Sequence, residues 1–141
     1  MARVENATRS KEPGVRSPGI SGIPISELNC GQAAKLIGCE LTRFPKVGSA
    51  DEETWRLDFL DPETSSKAHA RILITPTNKL VELIVTTSNG QHVNLALDNI
   101  QTVDLINYGR QKEVIFRSAE SGFLEISDKG CFSGDGLRVL A

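Results

Sequence analysis

The sequence predicts a mainly β protein of the α+β class: a small multi-stranded antiparallel barrel or roll with one N-terminal helix and a flexible N-terminal tail. Three observations indicate this fold. From about residue 39 onward, apolar and polar residues alternate in short runs, as they do in half-buried strands. Turn-forming Gly, Pro, Asn and Asp separate these runs at spacings typical of all-β domains. Helical spacing is found near residues 26–37, ahead of the first strand.

The size and composition fit one soluble domain. The chain has 141 residues, 39% of them hydrophobic, so it can bury one core but not two. Its 16 Lys and Arg against 18 Asp and Glu leave a net charge of -2. This composition excludes collagen-like, coiled-coil and fully disordered chains. No run approaches the ~20 apolar residues that span a bilayer, so we expect no membrane partner.

Residues 1–24 are predicted to form the flexible tail, and residues 25–141 a single β-rich domain. Pro-Gly and Ser-Pro dipeptides occur through the tail, and its apolar residues show little periodicity. Such a segment cannot bury enough surface to offset its ordering entropy. The first 19 residues also lack the apolar stretch of a secretory signal. We therefore expect the protein in the cytoplasm, or in the nucleus if its source is eukaryotic.

The helix is predicted to begin after Ser26, because serine is a good N-cap residue. Leu28, Ala33, Leu36 and Ile37 can then share one apolar face. Gly38 follows at the position where a glycine commonly ends a helix.

The strands predicted after the helix are short. Cys39 to Phe44 forms the first and stops at Pro45. Alternation continues through residues 102–126, a glycine-rich loop follows at residues 130–136, and the chain closes with an apolar run, giving about eight or nine strands. In the strands between residues 55 and 74, alternate apolar residues mark the buried side: Trp55, Leu57, Phe59, Ala70, Ile72 and Ile74.

Asn89-Gly90 is the strongest local signal in the chain. Asn-Gly favours a two-residue type I′ turn, which sets the register of the two flanking strands. This turn predicts that Ile84 faces Leu95 and that Glu82 faces Leu97. Both faces of the hairpin carry apolar residues, so each needs the cover that a barrel, or a sheet backed by a helix, provides.

Two fold resemblances accompany this pattern. The run from Lys79 through Ile126 resembles PH-like domains, because a hairpin leads to Asp-Asn-Ile-Gln-Thr-Val at residues 98–103 and two more strands follow. Residues 26–107, a helix and five strands, are similar to an Sm-like barrel, although residues 54–60 lack the glycine expected in that family's second strand. Both resemblances concern the fold, and a fold does not specify a function.

Residues 125–130, Glu-Ile-Ser-Asp-Lys-Gly, resemble the D-x-S-x-x-G motif of PilZ cyclic-di-GMP receptors, with Glu in the place of Asp. The resemblance implies a ligand-binding role for Glu125, Ser127 and Gly130. The chain lacks the upstream R-x-x-x-R pair with which that family clamps phosphates and guanines. The alternative interpretation is a plain turn between strands, for which Ser, Asp and Gly are suited.

The sequence offers little catalytic chemistry. Asp58, Asp61, Glu63 and His69 are the acids and histidine that lie close together, and a hydrolase or a metal site uses such groups. Their positions on the polar side of a strand and beside Pro62 favour a solvated surface instead, and we expect no catalytic residue, metal or cofactor. Three cysteines without a Cys-x-x-Cys step predict reduced thiols rather than disulfides.

By elimination the sequence favours a non-enzymatic protein-interaction module, an adaptor or assembly subunit that binds partners through sheet edges or the N-terminal tail. A Ser-Pro dipeptide offers a phosphorylation site, and three isoleucines could add a strand to a sheet, in cis or in trans. The candidate partner-binding residues are therefore Arg16, Ser17, Ile20, Ile23 and Ile25. The first alternative is an Sm-like or OB-like nucleic-acid-binding domain. The second is a small-ligand or nucleotide sensor that uses the turn at residues 127–130. The oligomeric state stays open.

Overall fold

Short antiparallel strands make up most of the part of the chain that the computed structural model describes, residues 19–42, 53–61 and 63–140. The single α-helix in these residues, α1, spans Cys30–Leu36, and 3₁₀ turns occupy Ile25–Glu27 and Pro76–Asn78. The strands are β1 (Gly19–Pro24), β2 (Glu40–Thr42), β3 (Glu53–Leu60), β4 (Lys67–Thr75), β5 (Leu80–Thr86), β6 (His92–Leu97), β7 (Ile100–Tyr108), β8 (Gln111–Ser118), β9 (Phe123–Ser127), β10 (Phe132–Asp135) and β11 (Arg138–Val139).

The strands form two antiparallel sheets. One has the order β1-β7-β8-β9-β10, and the other has the order β11-β6-β5-β4-β3-β2. The predicted mainly β fold with one helix is thus confirmed, as a roll whose sheets do not close into a barrel. The glycine-rich loop predicted at residues 130–136 is wrong in part, because β10 lies within it and pairs with β9.

The core lies between the sheets, and the five-stranded sheet crosses the other steeply. A Cβ on Gly122, just before β9, would lie 3.1 Å from Leu97 of β6, whereas Gly130, just after β9, lies against Phe59 of β3. The β9–β10 hairpin therefore runs from one side of the six-stranded sheet to the other. The largest fully buried side chains come from both sheets and from the residue that ends α1: Trp55, Phe116, Ile37, Ile72, Ile74, Leu83, Leu97, Ile100, Leu124, Ile126, Val81 and Val103.

The helix is shorter than the predicted span of residues 26–37. It begins at Cys30 because Asn29, and not Ser26, is the N-cap: the Asn29 side chain accepts the Gln32 N–H at 3.0 Å. Leu28 is extended, so the preceding 3₁₀ turn does not continue into α1. Gly38 follows the helix with a φ of +75°, which agrees with the expected glycine terminus.

The β5–β6 turn differs from the predicted type I′ turn. Thr87 N–H donates to Gln91 O at 2.8 Å, so the loop contains three residues instead of two. Gly90 takes a left-handed φ of +87°, whereas Asn89 does not. This is the three-residue hairpin in which a glycine bulge follows a tight turn.

The longer loop shifts the strand register by one residue from the predicted one. Leu83 faces Leu95 and Val81 faces Leu97. A one-residue slip exchanges the two faces of a strand. The observed register places the apolar residues of both strands together over the core, whereas the predicted one sets Leu83 opposite Ala96.

The first described residues correct the boundary of the predicted tail. Gly19–Pro24 form β1, which pairs with the edge of β7, and Ile25 is 4% exposed in the core. The flexible-tail prediction is therefore wrong for residues 19–24. The rest of that prediction, residues 1–18, lies outside the described residues.

The Asp104 carboxylate connects β1 to the sheet through a hydrogen bond. The pairing of β1 with β7 is interrupted between Ile20 and Ile23. Within this bulge, Gly22 N–H donates to Asp104 Oδ1 at 2.8 Å, and the other Asp104 oxygen accepts Arg117 Nε at 2.7 Å. Asp104 is 7% exposed, so both partners compensate for the burial of its charge.

We predict that Asp104→Ala lowers the free energy of unfolding by about 2 kcal/mol, because it removes two hydrogen bonds to a charged acceptor, one from the Gly22 N–H and one from Arg117. Urea denaturation followed by tryptophan fluorescence measures this loss. Asp98→Ala is the matched control, since the Asp98–Arg138 pair is half exposed on both sides and should contribute little. Equal effects of the two substitutions would contradict the role assigned to Asp104.

Candidate functional site

The outer edge of β3 is only partly covered. On one side β3 pairs with β4 along its whole length, from Glu53 to Leu60. On the other side β2 reaches only Thr54, Trp55 and Arg56. Among the described residues, no strand pairs with that side of β3 from residue 57 to residue 60. We call these four residues the open edge.

The direction of the backbone groups in the open edge follows from the hairpin that ends β3. Asp61 N–H donates to Ser66 O, on the β4 side, at 2.8 Å. N–H and C=O groups of an antiparallel strand point alternately to its two neighbours. Leu57 and Phe59 therefore direct theirs to β4, and Asp58 and Leu60 direct theirs to the uncovered side. The open edge presents two donors and two acceptors.

A groove of about 540 Å³ lies along the open edge. Leu60 is 63% exposed, so its apolar side chain is available to a partner. Arg56 and Asp58 form an ion pair at 3.2 Å on the same face of β3. Residues of β3 and β4 line the groove: Arg56, Asp58, Phe59, Leu60, Lys67 and Ala68.

The β9–β10 hairpin supports the groove from the core side. Phe59 stacks edge-on against Phe132, with ring centroids 5.6 Å apart. Gly130 has a φ of +78°, and a Cβ there would overlap the Phe59 ring. Glycine is thus required at residue 130 both by its conformation and by the close approach of the ring.

The residues of the PilZ-like stretch take structural positions in this same hairpin. Ser127 Oγ accepts the backbone N–H groups of Lys129 and Cys131 at 3.2 and 3.1 Å. Glu125 lies in mid-strand, where its Oε1 accepts Ser133 Oγ at 3.3 Å. With Gly130 packed on Phe59, all three residues have contacts that account for them without a ligand. A ligand-binding role for them remains a prediction.

The acidic residues and histidine noted in the sequence are brought only partly together. Asp58 lies opposite His69 on the outer face of the sheet, with Arg56 beside it. Asp61 instead accepts the Glu63 N–H within the β3–β4 turn, at 2.9 Å. The described residues contain no group of three or more His, Cys, Asp or Glu placed to hold a metal ion.

The candidate partner-binding residues of the N-terminal segment divide into two groups. Arg16 and Ser17 lie outside the described residues. Ile20 is 48% exposed, whereas Ile23 packs against the core and Ile25 is buried in it. For the described part, strand addition therefore takes place in cis, on the chain's own β7.

The cysteines differ in their surroundings. Cys131 is exposed, next to Phe132 at the groove, and Cys30 is buried. Burial raises the pKa of the Cys39 thiol to about 12, so it stays protonated and unreactive at neutral pH. None of the three forms a disulfide, as the sequence predicted.

Three of the five arginines among the described residues are paired with acidic side chains. Arg56, Arg117 and Arg138 each contact a carboxylate. A hydrogen bond from Arg138 holds the pKa of Asp98 below its usual range. No helix among the described residues has the length and apolar character to cross a bilayer.

No protein-family model matches the chain, and comparisons with curated proteins and with solved structures give no significant match.

Sequence reasoning missed the open edge, although one signal for it was present. The alternation that sends Trp55, Leu57 and Phe59 inward leaves Leu60 as an apolar residue on the polar face. The shortness of β2, which exposes the backbone beside Leu60, has no counterpart in the periodicity.

We predict alternating hydrogen-exchange rates along β3. The amides of Asp58 and Leu60 should exchange about tenfold or more faster than those of Leu57 and Phe59, because only the latter are bonded to β4. Exchange measured by NMR on the full chain at low concentration checks this pattern. Uniform protection of residues 57–60 would mean that the edge is covered.

We also predict that one thiol per chain reacts rapidly with a colorimetric thiol reagent at about pH 8. Cys131 should account for it, since Cys30 is buried and Cys39 has a raised pKa. Cys131→Ser should remove the fast phase, and denaturant should release the remaining thiols. A fast phase that survives in Cys131→Ser would contradict the assignment.

Proposed function

We propose that this protein is a non-enzymatic protein-interaction module that accepts an extended segment of a partner protein on the open edge of β3. The observation that carries the proposal is the pair of residues, Asp58 and Leu60, whose backbone N–H and C=O groups face away from β4 and have no strand to bond among the described residues. An added strand satisfies these groups by main-chain hydrogen bonds, the mode of recognition known as β-augmentation.

The side chains around the open edge favour a partner peptide that carries apolar and acidic residues. Leu60 and Phe59 offer apolar surface to a partner side chain, and Lys67 offers a positive charge beside it. Side chains of a bound strand alternate between the two faces of the sheet. A segment with apolar residues on one face and an acidic residue opposite Lys67 fits this arrangement.

The sheet edges at β1, β11 and β10 are less suited to this role. The pairing of β1 is interrupted by a bulge whose Gly22 N–H is already bonded to Asp104, and β1 ends in Pro24, which has no N–H. β11 has two residues. At β10, Leu137 lies against Gly134, so the chain's own C-terminal segment approaches that edge.

We predict that peptides selected from a display library on the full-length protein bind through the β3 backbone. Asp58→Pro removes an outward N–H, whereas Asp58→Ala removes the same charge and keeps the N–H. Affinity, measured by fluorescence anisotropy, should fall at least about tenfold in Asp58→Pro and only a few-fold in Asp58→Ala.

Thermal unfolding of both variants shows whether the fold is kept, and proline is tolerated where a strand N–H faces outward. Selected peptides that bind the folded Asp58→Pro protein as tightly as the unsubstituted protein would refute binding at the open edge. Failure to select any peptide would count against the interaction role itself.

A further inference from the structure

We propose that a second copy of this chain is an occupant of the open edge, with two β3 strands paired antiparallel about a two-fold axis at Phe59. The inference rests on the proposed function, since it requires that the edge accept a strand. It adds the identity of one partner and the register in which that partner binds.

The register follows from which backbone groups are available. In a pairing centred on Phe59, Asp58 of each chain lies opposite Leu60 of the other. Both residues direct their N–H and C=O groups outward, so each of the two pairs forms two hydrogen bonds. Every outward backbone group of the open edge then has a partner.

Neighbouring registers use fewer of these groups. Centring the pair on Asp58 sets two like charges opposite each other and aligns Leu60 with Arg56, where β2 already pairs. Centring it on Leu60 sets Asp58 opposite a position beyond the end of β3, so only the two Leu60 residues pair within the strands.

The side chains are self-complementary in the same register. Phe59 meets its own copy across the axis as a non-hydrogen-bonded pair, in which side chains approach most closely. Each Phe59 is already stacked on its own Phe132, so four aromatic rings gather on the core side.

Charges on the outer face agree with this pairing. Lys67 lies directly across from Leu60 in the β3–β4 pair. Leu60 in turn faces the second copy's Asp58, so one strand lies between Lys67 and that carboxylate. The long lysine side chain can span this distance. Each Asp58 is then held between Arg56 of its own chain and Lys67 of the other.

The open edge is bounded at both ends. β2 begins at Glu40, which pairs with Arg56, and the turn at Asp61 leads toward β4. A contact of this length is small, so we expect a weak, concentration-dependent dimer rather than an obligate one.

Register-specific disulfide trapping tests the proposal in the full-length chain. Asp58→Cys and Leu60→Cys are made separately in a Cys131→Ser background, and one of the two carries a mass tag. In the proposed register residue 58 faces residue 60, whereas identical positions are too far apart for a disulfide. At roughly 0.1–1 mM protein, the mixture should give at least about tenfold more covalent dimer than either variant alone.

Two results would overturn the dimer. One is equal crosslinking of the mixture and of either variant alone, which indicates random collision or another register. The other is a sedimentation profile that stays monomeric up to about 1 mM for the unsubstituted protein. Asp58→Pro should remove dimerisation, and Asp58→Ala, folded equally well, should retain it.

The dimer and the proposed function fail in different ways. A monomeric protein that still binds selected peptides in a manner sensitive to Asp58→Pro loses the second copy as partner and keeps the interaction role. If Asp58→Pro leaves the peptide affinity unchanged while the mixture of the two cysteine variants crosslinks, the open edge serves self-association only.

Discussion

Trp55 of β3 and Phe116 of β8 pack against each other between the two sheets, with ring centroids 6.1 Å apart, and the rest of the structure serves to cover them. Both rings are fully buried. Covering them requires the inner faces of both sheets and the buried face of α1, since no single layer removes two large rings from water. The Trp55 indole N–H has no hydrogen-bond partner among the described residues, so apolar packing around this side chain offsets the burial of a donor.

The edges at β1 and at β3 differ in whether their outward backbone groups have partners. At β1, a bulge leaves the Gly22 N–H without a strand partner, and the Asp104 carboxylate supplies the missing acceptor. At the open edge of β3, the outward groups of Asp58 and Leu60 receive no such compensation from the described residues. Unpaired edges of this kind are sites where another chain can add a strand.

The open edge is also held rigidly, because it belongs to the strand that anchors the core. Trp55 lies near one end of β3, and Phe59 at the other end is fixed between Phe132 and Gly130. An edge on such a strand keeps its shape without a partner, which lowers the ordering cost of the association proposed above. The residues that resemble a nucleotide-binding turn thereby acquire a structural explanation: they form the hairpin that supports Phe59.

The sequence by itself determined the strand alternation, and with it the burial of Trp55, Leu57 and Ile72, because which face a side chain occupies depends only on its position along a strand. It also indicated the glycine that ends α1 and cysteines that form no disulfide. The tertiary structure decided what depends on the neighbours of each strand. The β5–β6 register followed the apolar pairing of Leu83 with Leu95 rather than the preference of an Asn-Gly turn. β1 is ordered by its pairing with β7, which lies about 80 residues further along the chain. The open edge arises in the same way, since the length of β2 and its register on β3 leave Asp58 and Leu60 without a strand partner among the described residues. Local periodicity carries no information about where a neighbouring strand begins or ends.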